Sequence, residues 1–423
     1  DFPEFWDYGA QHDQYLVSDG GIFRKEQTCL AIYSEKHDPT QERTAKEIAR
    51  FSEKDAEKWL KMWKAWGSDE GLAARIDQLF LPAEWRARPE VFERQLAVYP
   101  TLVEAGVDPD SLVLASSHLR AAKEWWESKE LQYCIARLVL TGAFDVNQNA
   151  AEAPGFPAQL PILGFNRGGT HQIAHSAHKI LVAGGAKFFT HAEVEKVIIE
   201  NGSAKGIRLT DGTEIGARKL VLSTLNPRQL VFDLIGREHV EEKLARRVEL
   251  WEDTFGCLMW YSFAVHEAHK YKSEAFIPDI HECQWLGLQP DPSPEHLVRE
   301  CGYTKLGMWP PLEDYAPVVG CNSLADPAYA PPGKHVLHHE QLAPSKAARH
   351  TEKGWLEIKK RYADELVQVW QQYAPNMTWD NVIGVNTNSP FDNLRWKNLA
   401  PSGFPVGMER NYWQIEGNRP TPE

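Results

Sequence analysis

Residues 168–223, GGTHQIAHSAHKILVAGGAKFFTHAEVEKVIIENGSAKGIRLTDGTEIGARKLVLS, decide the fold. Gly168-Gly169-Thr170 opens a helix that runs to about Ala183, and Gly184-Gly185 closes it, because glycine takes the left-handed conformation that ends helices. Residues 187–190 then read as a short strand, 193–200 as a second and 204–209 as a third. Asn201-Gly202 and Asp211-Gly212 are tight hairpin signals, since both central residues of such turns need positive φ. Residues 213–215 and 219–223 complete the run. Helix, strand, β-meander, strand has the shape of an insert in a nucleotide-binding domain rather than of a free module.

Working outward, residues 15–33 hold two apolar runs around Asp19-Gly20-Gly21 and read as a β-hairpin with its turn there. From about Thr40 to Phe144 the pattern is helical. Ser52 reads as a helix N-cap, with Asp55 near the positive end of the dipole. Trp59, Met62, Trp63 and Trp66 follow at helical spacing, which marks a core face. Residues 90–104 and 117–140 read as further helices, and 150–167 as a connector. In the second half, 257–265 and 334–341 read as strands, and 352–373 as a long amphipathic helix with Trp355, Ile358, Tyr362, Leu366 and Trp370 on one stripe.

The chain has 423 residues, more than one core usually spans, so two or three intertwined domains are expected. Its net charge of −13 leaves no basic surplus to neutralise phosphates, which argues against nucleic-acid binding. Six scattered cysteines without a C-x-x-C pair argue for a reducing compartment, and the expected location is cytoplasmic. No apolar run reaches the roughly 18 residues of a membrane span. The 16 tryptophans read singly as core or surface residues, and together as material for an apolar cavity. The opening Asp1 and the loop-like 419–423 suggest a chain cut at both termini.

The paired glycines, the helix, Gly184-Gly185-Ala186-Lys187, residues 192–197, Gly206-Ile207-Arg208-Leu209 and Leu220-Val221-Leu222-Ser223 together resemble the middle of the phytoene-desaturase-like FAD oxidoreductases. Within them the nearest resemblance is to the branch called pyridine nucleotide-disulfide oxidoreductase domain-containing protein 2. Ser323-Leu324-Ala325-Asp326-Pro327, then residues 330–335, Tyr373-Ala374-Pro375-Asn376, Ser389-Pro390 and Asn418-Arg419-Pro420 fit the same template. Such a family opens with a strand, a G-x-G-x-x-G turn and a helix that hold the pyrophosphate. That motif is not in this sequence; Gly164 to Gly169 has the wrong spacing. The resemblance therefore implies a flavin site completed by missing termini or by a second chain.

What the resemblance implies is an α/β fold in interleaved pieces. A glutathione-reductase-type FAD domain, incomplete here, would take residues 161–240 and 386–423. A mixed-sheet substrate domain would take 1–40 and 245–385, and a helical cap 41–160. The implied activity is passage of a hydride from an apolar small molecule to FAD, in the manner of a desaturase or dehydrogenase. Val194 matches the strand whose backbone meets the adenine; an ordinary core valine is the alternative. Gly168 and Gly169 match the helix start near the flavin, where glycine lets a ligand approach the backbone; a plain turn is the alternative. Thr170, His171 and His175 are the substrate-pocket candidates.

His171, His175 and His178 fall on one narrow helical face. They read as a solvent-facing stripe, as pocket residues or as a three-ligand metal face, and the absence of a carboxylate at ligand spacing disfavours the metal. His338 and His339 on a strand must point to opposite faces. No Ser-His-Asp triad or catalytic carboxylate pair is legible. A rival reading is a non-catalytic interaction or scaffold protein that keeps the fold without the cofactor.

Overall fold

Seven strands build the central sheet of the computed structural model, which describes residues 6–25, 28–80, 88–106, 117–141, 145–147, 156–344, 346–399 and Gln414. The sheet strands are β2 (Val17–Phe23), β3 (Thr28–Tyr33), β8 (Leu258–Val265), β9 (Leu286–Gln289), β10 (Val318–Gly320), β11 (His335–Leu342) and β12 (Val382–Asn388). Their order is β12-β8-β11-β10-β9-β2-β3. Every pairing is antiparallel except β2 with β9. A two-stranded ribbon pairs β1 (His12–Gln14) with β4 (Gly164–Asn166). A three-stranded meander joins β5 (Val194–Glu200), β6 (Ser203–Leu209) and β7 (Glu214–Gly216).

Register assigns the sheet's two faces, since side chains alternate along a strand. Asp19, Gly21, Gly287, Val318, Glu340, Leu342, Leu258 and Trp260 share the front face. His339, Tyr261, Phe263 and Leu337 share the back. There Tyr261 stacks on Tyr362 at 5.9 Å, and Phe263 meets Trp370 edge-on at 6.1 Å. Both partners belong to the helix Glu352–Tyr373, whose expected bounds and buried stripe the structure reproduces, Ile358 being half-buried.

The helical region comprises α1 (Glu42–Ala49), α2 (Glu53–Trp66), α3 (Asp69–Phe80), α4 (Pro89–Leu96), α5 (Tyr99–Glu104), α6 (His118–Trp125) and α7 (Lys129–Thr141). Ser52 caps α2 as expected, accepting from the Asp55 N–H at 3.1 Å. Trp59, Met62 and Trp66 are buried, and Trp63 is half-buried. The two long helices expected over 90–104 and 117–140 are each broken in two. The second break has a visible cause. The Asp55 carboxylate is fully buried and accepts from the Glu127 N–H at 2.9 Å and the Ser128 N–H at 2.7 Å, which turns the chain between α6 and α7.

Three further expectations need correction. Asp19-Gly20-Gly21 lies inside β2, and the β2–β3 connection falls after Phe23. The three residues serve packing instead: Asp19 is buried against Arg137, and a Cβ on Gly21 would stand 3.0 Å from the Phe23 ring. Residues 187–190 and 219–223 form no strand. A strand exists by pairing, and neither segment has a neighbour to pair with among the described residues. Phe189 (69 %), Leu220 (72 %) and Leu222 (80 %) are correspondingly exposed. Asn201 and Gly202 both have positive φ, as expected, whereas at Asp211-Gly212 only the glycine does, and Asp211 accepts from the Thr213 N–H at 2.9 Å. The connector also carries β4 and short helical turns over 156–162. Residues 150–155, part of the 150–167 connector, and most of 400–423 lie outside the described residues, and the expected boundary between 385 and 386 falls within β12.

α7 sits on the front face where the strands carry glycine. A Cβ on Gly287 would stand 2.5 Å from the Tyr133 hydroxyl and 3.2 Å from Arg137 Cδ. Gly287→Ala is therefore expected to cost about 1–3 kcal/mol through overpacking, read as a lower midpoint in urea denaturation with unchanged slope.

Candidate functional site

The helix His171–Ala183, here α8, starts as the sequence predicts. Gly168 (φ 74°) and Gly169 (φ 99°) turn the chain from β4 into it, in the region that glycine enters without penalty. A Cβ on Gly169 would meet only Tyr329, at 3.9 Å. The Gly168 N–H donates to the Asp326 carboxylate at 2.7 Å, so the negative charge expected at this helix start is already supplied by a side chain. Asp326 also accepts from the Ala328 N–H at 2.9 Å, which closes the short turn Pro327–Tyr329. The Tyr329 hydroxyl then donates to the Asn166 carbonyl at 3.1 Å.

From there one wall leads to the sheet. Phe165 on β4 stacks on Tyr15 at 5.0 Å. Burial pushes the Tyr15 phenol well above its ordinary range, and the charges of Tyr329 and Glu340 push the same way. Glu340 stands on the front face beside Trp260, its partner across β8 and β11. Burial raises its carboxyl to about 7, with the Trp260 hydrogen bond and Arg137 opposing.

Behind Glu340 lies a cavity of about 20 Å³ between the front face, α7 and the helix Glu295–Leu306, here α9. That is room for one or two waters. Tyr133, Arg137, Glu300, Glu340 and Gln341 supply its polar lining, with Leu140 and Leu297 among its apolar walls. Glu300 is buried, and burial lifts its carboxyl to about 8 against the field of Arg137. Arg137 is tied to Asp19, with Nη2 donating at 2.7 Å to each carboxylate oxygen and at 2.8 Å to the Trp285 carbonyl. No tryptophan among the described residues lines this cavity.

Of the expected site residues, Gly168, Gly169 and Thr170 stand together at the α8 start, with Thr170 exposed and making no side-chain cap. His171, His175 and His178 are exposed; the first two rings lie 5.6 Å apart, and His178 packs on Phe188 at 4.4 Å. Among the described residues no three His, Cys, Asp or Glu side chains are placed to hold a metal. Val194 begins β5, opposite Leu209, in a different sheet from this wall. Sequence reading missed Tyr15, Tyr329, Glu300 and Glu340. Asp326 was inside a quoted motif, but nothing in the motif said that its carboxylate meets Gly168.

No family model matches the chain. It is similar to a limonene dehydrogenase of Castellaniella defragrans, in one of that enzyme's component chains, at 23 % identity over 404 residues, 90 % of this chain and 69 % of that one. Prolycopene isomerase of Daucus carota matches at 27 % over 203 residues, 45 % of this chain and 28 % of that protein. A phytoene desaturase of Cereibacter sphaeroides matches at 22 % over 255 residues, 60 % of this chain and 46 % of that one. The relatives are thus named as dehydrogenase, isomerase and desaturase. The crystal structure of an oxidoreductase from Methanosarcina mazei aligns with a TM-score of 0.45 at 17 % identity, over 73 % of this chain and 63 % of that one. No helix of the described residues is long and apolar enough to cross a membrane.

Proposed function

We propose that the chain is the larger part of an FAD-dependent oxidoreductase of the phytoene-desaturase-like kind, acting on an apolar small molecule. The observation that carries this reading is the run of contacts from the glycine-turned start of α8, through Tyr329 and the Phe165–Tyr15 stack, toward Glu340 and Trp260 on the front face. The branch suggested by the sequence, pyridine nucleotide-disulfide oxidoreductase domain-containing protein 2, is part of the same proposal, as is the division into substrate domain, helical cap and FAD domain. The dehydrogenase, desaturase and isomerase relatives support it.

The residues present fit part of a flavin site. Gly169 leaves the backbone approachable, since a side chain there would fill the space before Tyr329, whereas the N–H of Gly168 is taken by Asp326 and Gln172 stands where its side chain would be. Val194 offers a strand backbone for the adenine. α8 and the two unpaired segments leave Ile173, Leu181, Phe188, Phe189, Leu220 and Leu222 uncovered, which suits a nucleotide-binding unit packing there. When bound, the flavin supplies a hydride acceptor. The chain's own part is to seat an apolar substrate on the aromatic wall, with Thr170, His171 and His175 at its α8 end, and to exclude water.

Protein isolated at full length from its natural source is expected to be yellow, with flavin bands. Gly169→Asn, the side chain that costs least at a positive φ, is expected to weaken FAD uptake at least tenfold by filling the space before Tyr329, with the circular dichroism unchanged. A colourless protein that takes up no added FAD would overturn the proposal and favour the non-catalytic scaffold.

A further inference from the structure

The aromatic cluster behind the sheet reaches the surface at Trp309. Tyr261, Phe263, Tyr362 and Trp370 are fully buried, and Trp309 is half-buried. Trp370 meets Phe263 at 6.1 Å, Phe263 meets Tyr261 at 6.1 Å, Tyr261 stacks on Tyr362 at 5.9 Å, and Tyr362 meets Trp309 edge-on at 4.3 Å. Such spacings are those of aromatic packing in general. The rings differ in where each one's polar hydrogen goes. The Tyr261 hydroxyl donates to the Lys359 carbonyl at 3.0 Å, and the Tyr362 hydroxyl to the Leu342 carbonyl at 3.2 Å. The Trp370 indole donates to the Tyr271 hydroxyl at 3.2 Å, and His269, next to that hydroxyl, is kept neutral by burial. Neutral carbonyls and phenols do not take a proton. At Trp309 the partner is a carboxylate: Nε1 donates to Glu365 Oε2 at 2.6 Å, while Arg361 Nε holds Oε1 at 2.8 Å. A charge-assisted bond this short is already aimed for proton transfer.

We propose that Trp309 is a site of one-electron oxidation, where an oxidising equivalent that enters the buried aromatic row is trapped and handed to reductants in solution. The inference asks nothing of the flavin reading. The oxidant is a one-electron acceptor, such as a radical derived from oxygen. It takes one electron from a buried ring, Trp370 or Tyr261. That ring cannot shed its proton, so it stays a radical cation and draws an electron from the next ring along. Trp370 and Tyr362 stand about 12 Å apart along their helix, and the row divides that gap: Phe263 brings the Trp370 and Tyr261 rings within one step, and Tyr261 lies against Tyr362. Trp309 supplies the last electron, and Tyr362 returns to its closed-shell phenol with its O–H intact. The indole proton passes from Nε1 to the Glu365 carboxylate, which becomes the carboxylic acid. What remains on Trp309 is the neutral indolyl radical. A reductant of the ascorbate or thiol class gives it one electron, Glu365 returns the proton, and the indole is restored.

A photosensitiser at one end of the row reads the transfer at the other. The six cysteines of the chain are buried, so Gln371→Cys, at an exposed position next to Trp370, gives a single site for a ruthenium polypyridyl label. Flash oxidation of that label in the whole chain is expected to produce the neutral indolyl radical, followed by transient visible absorption. Trp309→Phe is expected to lower its yield at least tenfold. Tyr362→Phe keeps the ring and removes the oxidisable phenol, and is expected to do the same; Tyr261→Phe repeats the test if that variant folds poorly. Glu365→Gln leaves a hydrogen-bond acceptor without a base, so the radical is expected in its cationic form, which absorbs at a different wavelength. A neutral-radical yield unchanged in Trp309→Phe, even with a lowered urea midpoint, reduces Trp309 to packing and overturns the site. A neutral radical formed undiminished in Glu365→Gln overturns the proton transfer and, with it, the reason for trapping there.

Discussion

Arg137→Met is expected to destabilise the fold by about 3–5 kcal/mol. The guanidinium is 2 % exposed and its partner Asp19 is fully buried, so deleting the cation strands a carboxylate in the interior. Asp19 already feels that cost: burial lifts its carboxyl to about 6, and Arg137 holds it from rising further. The damage spreads along a line of contacts. Arg137 Nη2 also holds the Trp285 carbonyl just before β9, and the Tyr133 hydroxyl, one helical turn earlier on α7, lies over Gly287. Removing both charges is the informative control. Asp19→Leu with Arg137→Met is expected to recover more than half of the loss, since two matched apolar side chains often replace a buried pair at little cost. Urea denaturation of the two single variants and the double variant measures the cycle. A double variant as unstable as the worse single would show that geometry, not charge, is what the pair supplies.

His339→Phe is expected to become more stable relative to the unmodified protein by about 2–3 kcal/mol between pH 7 and pH 4.5. His339 is fully buried on the back face, edge-on to Tyr261, and burial pulls its imidazole down to about 3. Its folded value lies below its unfolded value, so its contribution is whole above about 6.5. That contribution is lost as pH falls through 6.5 toward the folded value, because the unfolded chain binds the proton first. His269, pulled down to about 3, and His338, to about 4, act in the same sense. Glu300, Glu340 and Asp19 act in the opposite sense. Their raised values favour the folded state below about 4.5, and that advantage is lost as pH rises through 6, 7 and 8. The unmodified protein should accordingly show a flat stability profile over this range, with the histidine term visible only in the difference. Thermal unfolding at both pH values measures it, and parallel profiles for the two proteins would refute it.

Local chemistry was legible in the sequence where it is decided locally. Trp355, Tyr362, Leu366 and Trp370 recur at helical spacing, and the helix has the bounds that spacing gives. Gly168-Gly169 and Gly184-Gly185 bracket α8 because each end requires a backbone conformation that glycine adopts most readily. Asp19-Gly20-Gly21 was misread for the converse reason. Its turn-like composition is a local signal, while its place in a strand is set by pairing with β3 and with the distant β9, and its buried aspartate is met by Arg137, 118 residues away. The same holds for the polar site. Nothing near Glu300 or Glu340 announces that a helix and a strand will bring them to one cavity, and HVLHHEQL alternates too little to assign Glu340 a face. Residues 187–190 and 219–223 have strand composition, but composition does not supply the neighbour.

Those two unpaired segments decide how the chain behaves in company. Their backbone donors and acceptors, flanked by Phe188, Phe189, Leu220 and Leu222, offer a template to any extended polypeptide that drifts past. Where no nucleotide-binding unit covers them, precipitation at high concentration would begin from a folded chain and would track neither melting temperature nor the integrity of the large sheet. Rules learned from mutations in the interior would not transfer to it.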